Sequence, residues 1–178
     1  MLKDTEQQLI EAAQTDPQCF EPLYTKYYEQ ILKFVYKRIE HLDDVREVTS
    51  IIFTKALINI GKYKDQGFPF SSWLYRIAIN EINQFYRDSK KVRLISMDDE
   101  GLNNIAHETG NQKEELIHNL KKALLHLSEE DFMLLELRYF ENHSFAEVGQ
   151  ILNITEVNAK VKTYRVLDKL KVIYAKVS

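Results

Sequence analysis

The chain has 178 residues, a formal net charge of −3 and 44% hydrophobic residues, with five glycines, three prolines and a single cysteine. That length makes one domain or two small ones, and the apolar content is enough for a core, which excludes wholesale disorder. The slight negative charge excludes indiscriminate coating of nucleic acid but leaves local basic faces open as binding surfaces.

The opening MLKDTEQQLIEAAQ is charged from its third residue and has no apolar centre, so it does not read as a secretory signal. No apolar run approaches the ~20 residues that span a bilayer. The single cysteine, Cys19, cannot form an internal disulfide; it is expected to be a small buried apolar residue of a protein in a reducing compartment, the cytoplasm. Scarce Gly and Pro, with abundant Leu, Ile, Glu, Lys and Gln, favour helix over sheet, so the expected fold class is all-α.

The first helical stripe runs through Phe20, Leu23, Tyr24, Tyr27, Ile31, Phe34, Val35 and Ile39, at steps of three and four. A second follows in Val45, Val48, Ile52, Ala56 and Ile60. Gly67 and Pro69 in KYKDQGFPFSS (62–72) break the pattern and put Phe68 and Phe70 in a loop. A third stripe, Leu74, Ile77, Ala78, Ile82, Phe85 and Tyr86, opens after a Ser71 or Ser72 cap. The loop and this helix interleave Phe68, Phe70 and Trp73 with Arg76, Asn80, Gln84, Arg87, Lys90 and Lys91. Rings beside cations are what single-stranded nucleic-acid sites use, since bases stack on rings while cations hold phosphates. The bland alternative is that the aromatics are core, and for Trp73 it is the preferred one.

LISMDDEGLNNIAHETGNQ (94–112) has four acids, no Lys or Arg and two glycines, and reads as a flexible acidic linker. Beyond it, Leu120, Ala123, Leu124 and Leu127 form a stripe, and Ser128-Glu129-Glu130 signals the next helix start, with Phe132, Leu135, Leu137 and Tyr139 on that helix. Residues 144–174 divide into two helices around Asn153-Ile154-Thr155, with Ser144 as a cap. On the second, Ala159, Thr163, Val166, Leu170, Ile173 and Val177 face inward, while Asn158, Lys160, Lys162, Tyr164 and Arg165 face outward. This spacing predicts a helix-turn-helix whose second helix enters a DNA major groove, where Lys and Arg meet phosphates or guanine edges and Asn pairs with adenine. An ordinary hairpin with a solvated basic face is the alternative. The five histidines are scattered without ligand spacing, and there is no phosphate-binding glycine loop, so neither a metal nor another cofactor is expected, and no enzymatic activity.

FEPLYTKYYEQILKFVYKRI, DDVREVTSIIFTKAL and FSSWLYRIAIN resemble region two of the extracytoplasmic-function (ECF) sigma factors of the sigma-70 superfamily. ALLHLSEEDFMLLELRYFENHSFAEVGQILNITEVNAKVKTYRVLDKL resembles their region four, in the matching order. The resemblance implies two small helical domains, 1–92 and 114–178, joined by the linker 93–113, and a partner in core RNA polymerase. It implies that the helix with Arg46, Glu47, Ser50 and Phe53 meets the polymerase clamp. The 67–73 loop with Arg76, Asn80, Gln84 and Arg87 would read the melted minus-ten element of promoter DNA, and Asn158, Lys160, Lys162 and Arg165 the minus-thirty-five element. An anti-sigma protein is a further implied partner. The chain departs from the family pattern at Ser50, Ile51, Gln84, Leu127-Ser128, Asn153 and Asn158-Ala159. Two other readings remain open: a conventional helix-turn-helix regulator acting without polymerase, and a purely protein-binding helical adaptor.

Overall fold

The computed structural model describes residues 2–89, 99–109 and 114–177, and among these every regular element is helical. They belong to two compact units, one within Met1–Leu94 and one within Ile95–Ser178. Lys90, Lys91 and Arg93 lie outside the described residues, as do 94–98 and 110–113 of the expected linker.

The first unit contains α1 (Leu2–Thr15), a 3₁₀ turn (Pro17–Phe20), α2 (Glu21–Tyr36), α3 (Leu42–Asn59), a second 3₁₀ turn (Ile60–Lys62) and α4 (Phe70–Ser89). Asp16 caps the first turn by accepting from the Gln18 N–H at 3.0 Å, with Pro17 supplying a preset φ in its first position. Asp43 and Asp44 lie in the first turn of α3, where negative charge favours the helix dipole. The apolar rows converge: Leu23, Ile31 and Phe34 of α2, Val45, Ile52 and Ala56 of α3, and Leu74, Tyr75 and Ala78 of α4 are fully buried. Phe34 and Tyr75 meet edge to face with centroids 4.7 Å apart. Gln14 of α1 donates to the carbonyls of Ile60 and Tyr63, tying that helix to the α3–α4 connection.

Expectations for Cys19, Ser71 and Ser72, and Tyr24 are corrected. Cys19 is exposed on the Pro17–Phe20 turn, because the row that buries Phe20 turns its neighbour outward. Helix α4 begins at Phe70, so Ser71 and Ser72 are buried in its first turn rather than capping it. Tyr24 does not belong to the inward row; it is 40% exposed, one step round α2 from buried Leu23 and Tyr27.

The second unit contains α5 (Asp99–Thr109), α6 (Glu114–Leu125), α7 (Glu129–Leu135), a π-helical turn (Glu136–Phe140), α8 (Phe145–Leu152) and α9 (Glu156–Val177). Ser128 caps α7 by accepting from the Asp131 N–H. Ser144 and Glu147 form a reciprocal capping box at the start of α8, at 3.2 and 2.7 Å. Asn153 ends α8 in the left-handed conformation (φ 56°), and Thr155 accepts from the Asn158 N–H at 3.2 Å as α9 begins. Lys169 of α9 meets Asp131 of α7 at 2.6 Å, holding that carboxyl below its usual range through the hydrogen bond they share.

Within the expected flexible acidic linker 93–113, the segment Asp99–Thr109, read from sequence as lacking helical periodicity, is instead α5. Leu102, Ile105 and Ala106 form a short i, i+3, i+4 apolar row, and all three are buried. Acids and glycines outweigh that row when the segment is read alone; the second unit supplies the surface it packs on. Asn104 donates to the Tyr139 carbonyl at 3.0 Å. Gly101 faces Phe140 of the π turn so closely that a Cβ there would lie 2.3 Å from the ring. Gly101→Ala is therefore expected to displace α5, at a cost of about 1–3 kcal/mol typical of overpacking. Amide hydrogen exchange should show lost protection over 102–106 with α7 to α9 unchanged; unchanged protection throughout would show that α5 does not depend on this contact.

Candidate nucleic-acid interface

In the first unit the loop between Lys62 and Phe70 is shaped by Gly67 at φ +82°, its N–H bonded to the Asp65 carboxylate at 2.7 Å. That turn leaves Phe68 half-buried on the loop. Phe70, expected beside it, is instead core: it is 1% exposed and its ring meets Tyr27, Tyr63 and Trp73 at centroid distances of 5.7, 5.2 and 5.3 Å. No base can stack on a ring enclosed in this way. Trp73 is half-buried in the same cluster.

Arg76, Asn80, Gln84 and Arg87 recur at steps of four, four and three and so share one row of α4. Arg76, Asn80 and Arg87 are exposed, whereas Gln84 is half-buried. The Gln84 amide donates to both carboxylate oxygens of Asp88 at 2.9 and 2.8 Å, and its carbonyl accepts from Arg87. Gln84 thus fixes its neighbours on the row while its own polar atoms are engaged.

In the second unit α8, the Asn153 turn and α9 form the helix-turn-helix. Gly149 permits it: a Cβ there would lie 2.8 Å from the Ile154 carbonyl oxygen and 3.2 Å from the Glu156 nitrogen. Ala159, Thr163, Val166 and Leu170 are buried, while Asn158, Lys160, Lys162, Tyr164 and Arg165 are exposed. Tyr164 leans towards Phe145 of α8, with ring centroids 6.0 Å apart. Phe145 in turn lies 4.9 Å from the Arg138 guanidinium, whose Nη1 donates to the His143 carbonyl.

A third face lies on α3. Arg46, Glu47 and Ser50 are exposed, but Phe53 is only 4% exposed. It is a floor rather than a projecting contact, because Tyr24 and Tyr28 of α2 close over it at centroid distances of 4.9 and 6.0 Å. Arg46, Ser50, Phe53, Tyr24 and Tyr28 line a groove of about 390 Å³ between α2 and α3. The tyrosines were not among the expected site residues. Their signal is the i, i+4 spacing one step off the buried row, which marks a helix edge. Among the described residues there is no cluster of His, Cys, Asp and Glu able to hold a metal ion. Nor is any helix among them long and apolar enough to cross a membrane.

Sigma-70 region 2 matches residues 23–92 and sigma-70 region 4 matches residues 117–170. The chain is 27% identical over 151 residues to the RNA polymerase sigma factor YlaC of Bacillus subtilis, covering 82% of this chain and 87% of that one. It is 25% identical over 167 residues to the ECF RNA polymerase sigma factor SigW of the same organism, covering 88% and 89%. The solved structure of CnrH in complex with the cytosolic domain of CnrY shares the fold, with a TM-score of 0.63, 18% identity and coverage of 96% and 97%. Two helical units, the second ending in a helix-turn-helix, are the form of a two-region transcription initiation factor. The chain belongs to the sigma-70 family as an ECF sigma factor with regions two and four. It acts in transcription initiation by RNA polymerase as a non-enzymatic subunit that binds the polymerase and DNA.

Proposed function

We propose that this sigma factor divides promoter recognition between α9 and the α4 row, and docks on core polymerase through α3. The observation that carries the reading is the outward face of α9, where Lys160, Lys162 and Arg165 stand exposed on the second helix of a helix-turn-helix. That face suits duplex DNA at the minus-thirty-five element. Exposed Arg76, Asn80 and Arg87 on α4, with half-buried Phe68 on the preceding loop, suit the unpaired strand of the minus-ten element. Phe70 has no part in this, and Gln84 acts by holding Arg87. Arg46, Glu47 and Ser50 meet the clamp, with the Tyr24–Tyr28–Phe53 groove beside them.

Two weak DNA contacts on one chain give an avidity above either alone. Capture of unstacked bases shifts the equilibrium from closed to open promoter without nucleotide hydrolysis. The polymerase supplies the chemistry. The CnrH structure is of a complex with a cytosolic domain; an anti-sigma protein docking on this chain in the cytoplasm is the corresponding reading here.

Replacing Lys162 and Arg165 with Ala is expected to weaken minus-thirty-five binding by holoenzyme. Loss of a base contact should cost about 1–3 kcal/mol and depend on sequence, whereas each lost phosphate contact should flatten the salt dependence by about one. Binding measured across a salt series on duplex DNA separates the two. Unchanged affinity and unchanged slope would return α9 to a solvated basic face.

A further inference from the structure

The outward face of α9 is not uniformly polar. Val157 is 72% exposed and Val161 is 41% exposed, on the first two turns of the helix. With ~3.6 residues per turn, positions 157, 161 and 164 fall in one row. This row lies opposite buried Ala159, Thr163 and Val166, so it is the crest of the helix. The cations lie on its flanks, Lys160 on one side and Lys162 and Arg165 on the other.

Neither valine contributes to the core, and valine is a weaker helix former than alanine. What it offers is a stiff, branched apolar surface with one strongly preferred rotamer in a helix. Tyr164, third in the row, leans away towards Phe145, which leaves the two valines standing at the centre.

A row of apolar groups flanked by positive charge is complementary to a major groove, whose walls are phosphates and whose floor offers one apolar feature, the C5 methyl of thymine. We infer that Val157 and Val161 are specificity-determining residues that read thymine methyl groups in the minus-thirty-five duplex, while the flanking cations hold the phosphates. The inference rests on the assignment of α9 to duplex DNA and adds to it what α9 selects. Thymine is required at the base pairs facing the first two turns of α9, on whichever strand turns its methyl towards the valines.

The test uses holoenzyme assembled from the full chain and core RNA polymerase. Minus-thirty-five duplexes are selected from a randomised library, and each selected thymine is then replaced by deoxyuridine, which removes only the methyl. Wild-type holoenzyme should bind the thymine duplex about fourfold more tightly per contacted methyl, as expected for burying one methyl-sized group. Val157→Ala and Val161→Ala should each reduce discrimination at a different thymine, costing more affinity on the thymine duplex than on the deoxyuridine duplex. Both side chains are exposed, so the variants should fold as wild type. Equal binding of thymine and deoxyuridine, or discrimination undiminished by either substitution, would overturn the inference while leaving α9 a DNA-binding helix. So would variants that lose affinity equally for both duplexes or lose core polymerase, since the valines would then serve a protein contact. If Lys162→Ala with Arg165→Ala leaves duplex binding intact, the assignment of α9 falls and the inference falls with it.

Discussion

Phe70→Ala is expected to unfold the first unit or leave it barely stable, while Phe68→Ala, two residues away, leaves it folded. Phe70 is enclosed by Tyr27, Tyr63 and Trp73, joining α2, the α3–α4 connection and α4. Truncating such a ring costs about 3–5 kcal/mol, a large part of the ~5–15 kcal/mol by which a domain is stable. Phe68 is half-buried on the loop, so its loss removes surface available to a base more than it removes packing. Urea unfolding followed by circular dichroism should show a lost or strongly shifted transition for Phe70→Ala alone. Permanganate footprinting of unpaired thymines should show poor promoter opening by Phe68→Ala, relieved on a template with a pre-melted bubble. A Phe70→Ala protein within about 1 kcal/mol of wild type would remove that ring from the core; wild-type footprints for Phe68→Ala would end the proposed role of the loop.

Gly149→Val should have the second large effect, confined to the second unit. The added atoms meet the Ile154 carbonyl oxygen, the Glu156 nitrogen and the Thr155 carbonyl carbon, all of them backbone. Backbone cannot swing aside as a side chain can, so α8 and α9 must separate. The gain in helix propensity over glycine, below about 1 kcal/mol, does not offset an overlap costing roughly 3 kcal/mol or more. The expected result is loss of minus-thirty-five binding with retained affinity for core polymerase through the first unit. Unaltered duplex binding would mean that the turn accommodates the branch and that the close approach of α8 to α9 is dispensable.

Signals confined to a few neighbouring residues were legible in the sequence. Ser128 and Ser144 at helix starts, the turn at Asn153 and the buried row Ala159, Thr163, Val166 and Leu170 need only local spacing to be seen. What escaped depends on the partner surface. The row Leu102, Ile105 and Ala106 is too short to signal a helix against its acids and glycine, and the contacts of Gly101 with Phe140 and of Asn104 with the Tyr139 carbonyl have no local signal. Pro69 marks a break, but whether Phe70 belongs to the loop or to the helix turns on Tyr27, more than forty residues earlier. Tyr24 reads as core until its exposure and the burial of Phe53 show it, with Tyr28, to be the edge of a groove. The helix-turn-helix face was legible through its cations; its valines were not, because an apolar residue is assigned to the core by default.

The exposure of Cys19 has a practical side. It is the only cysteine of the chain, and the residues around it on the turn, Pro17, Gln18 and Phe20, line the α2–α3 groove. A thiol-reactive fluorophore can therefore be attached at one defined point, at the rim of the surface proposed to meet polymerase, without altering any residue. Its emission and anisotropy would report binding of core enzyme in real time, and competition by an anti-sigma protein would appear in the same signal.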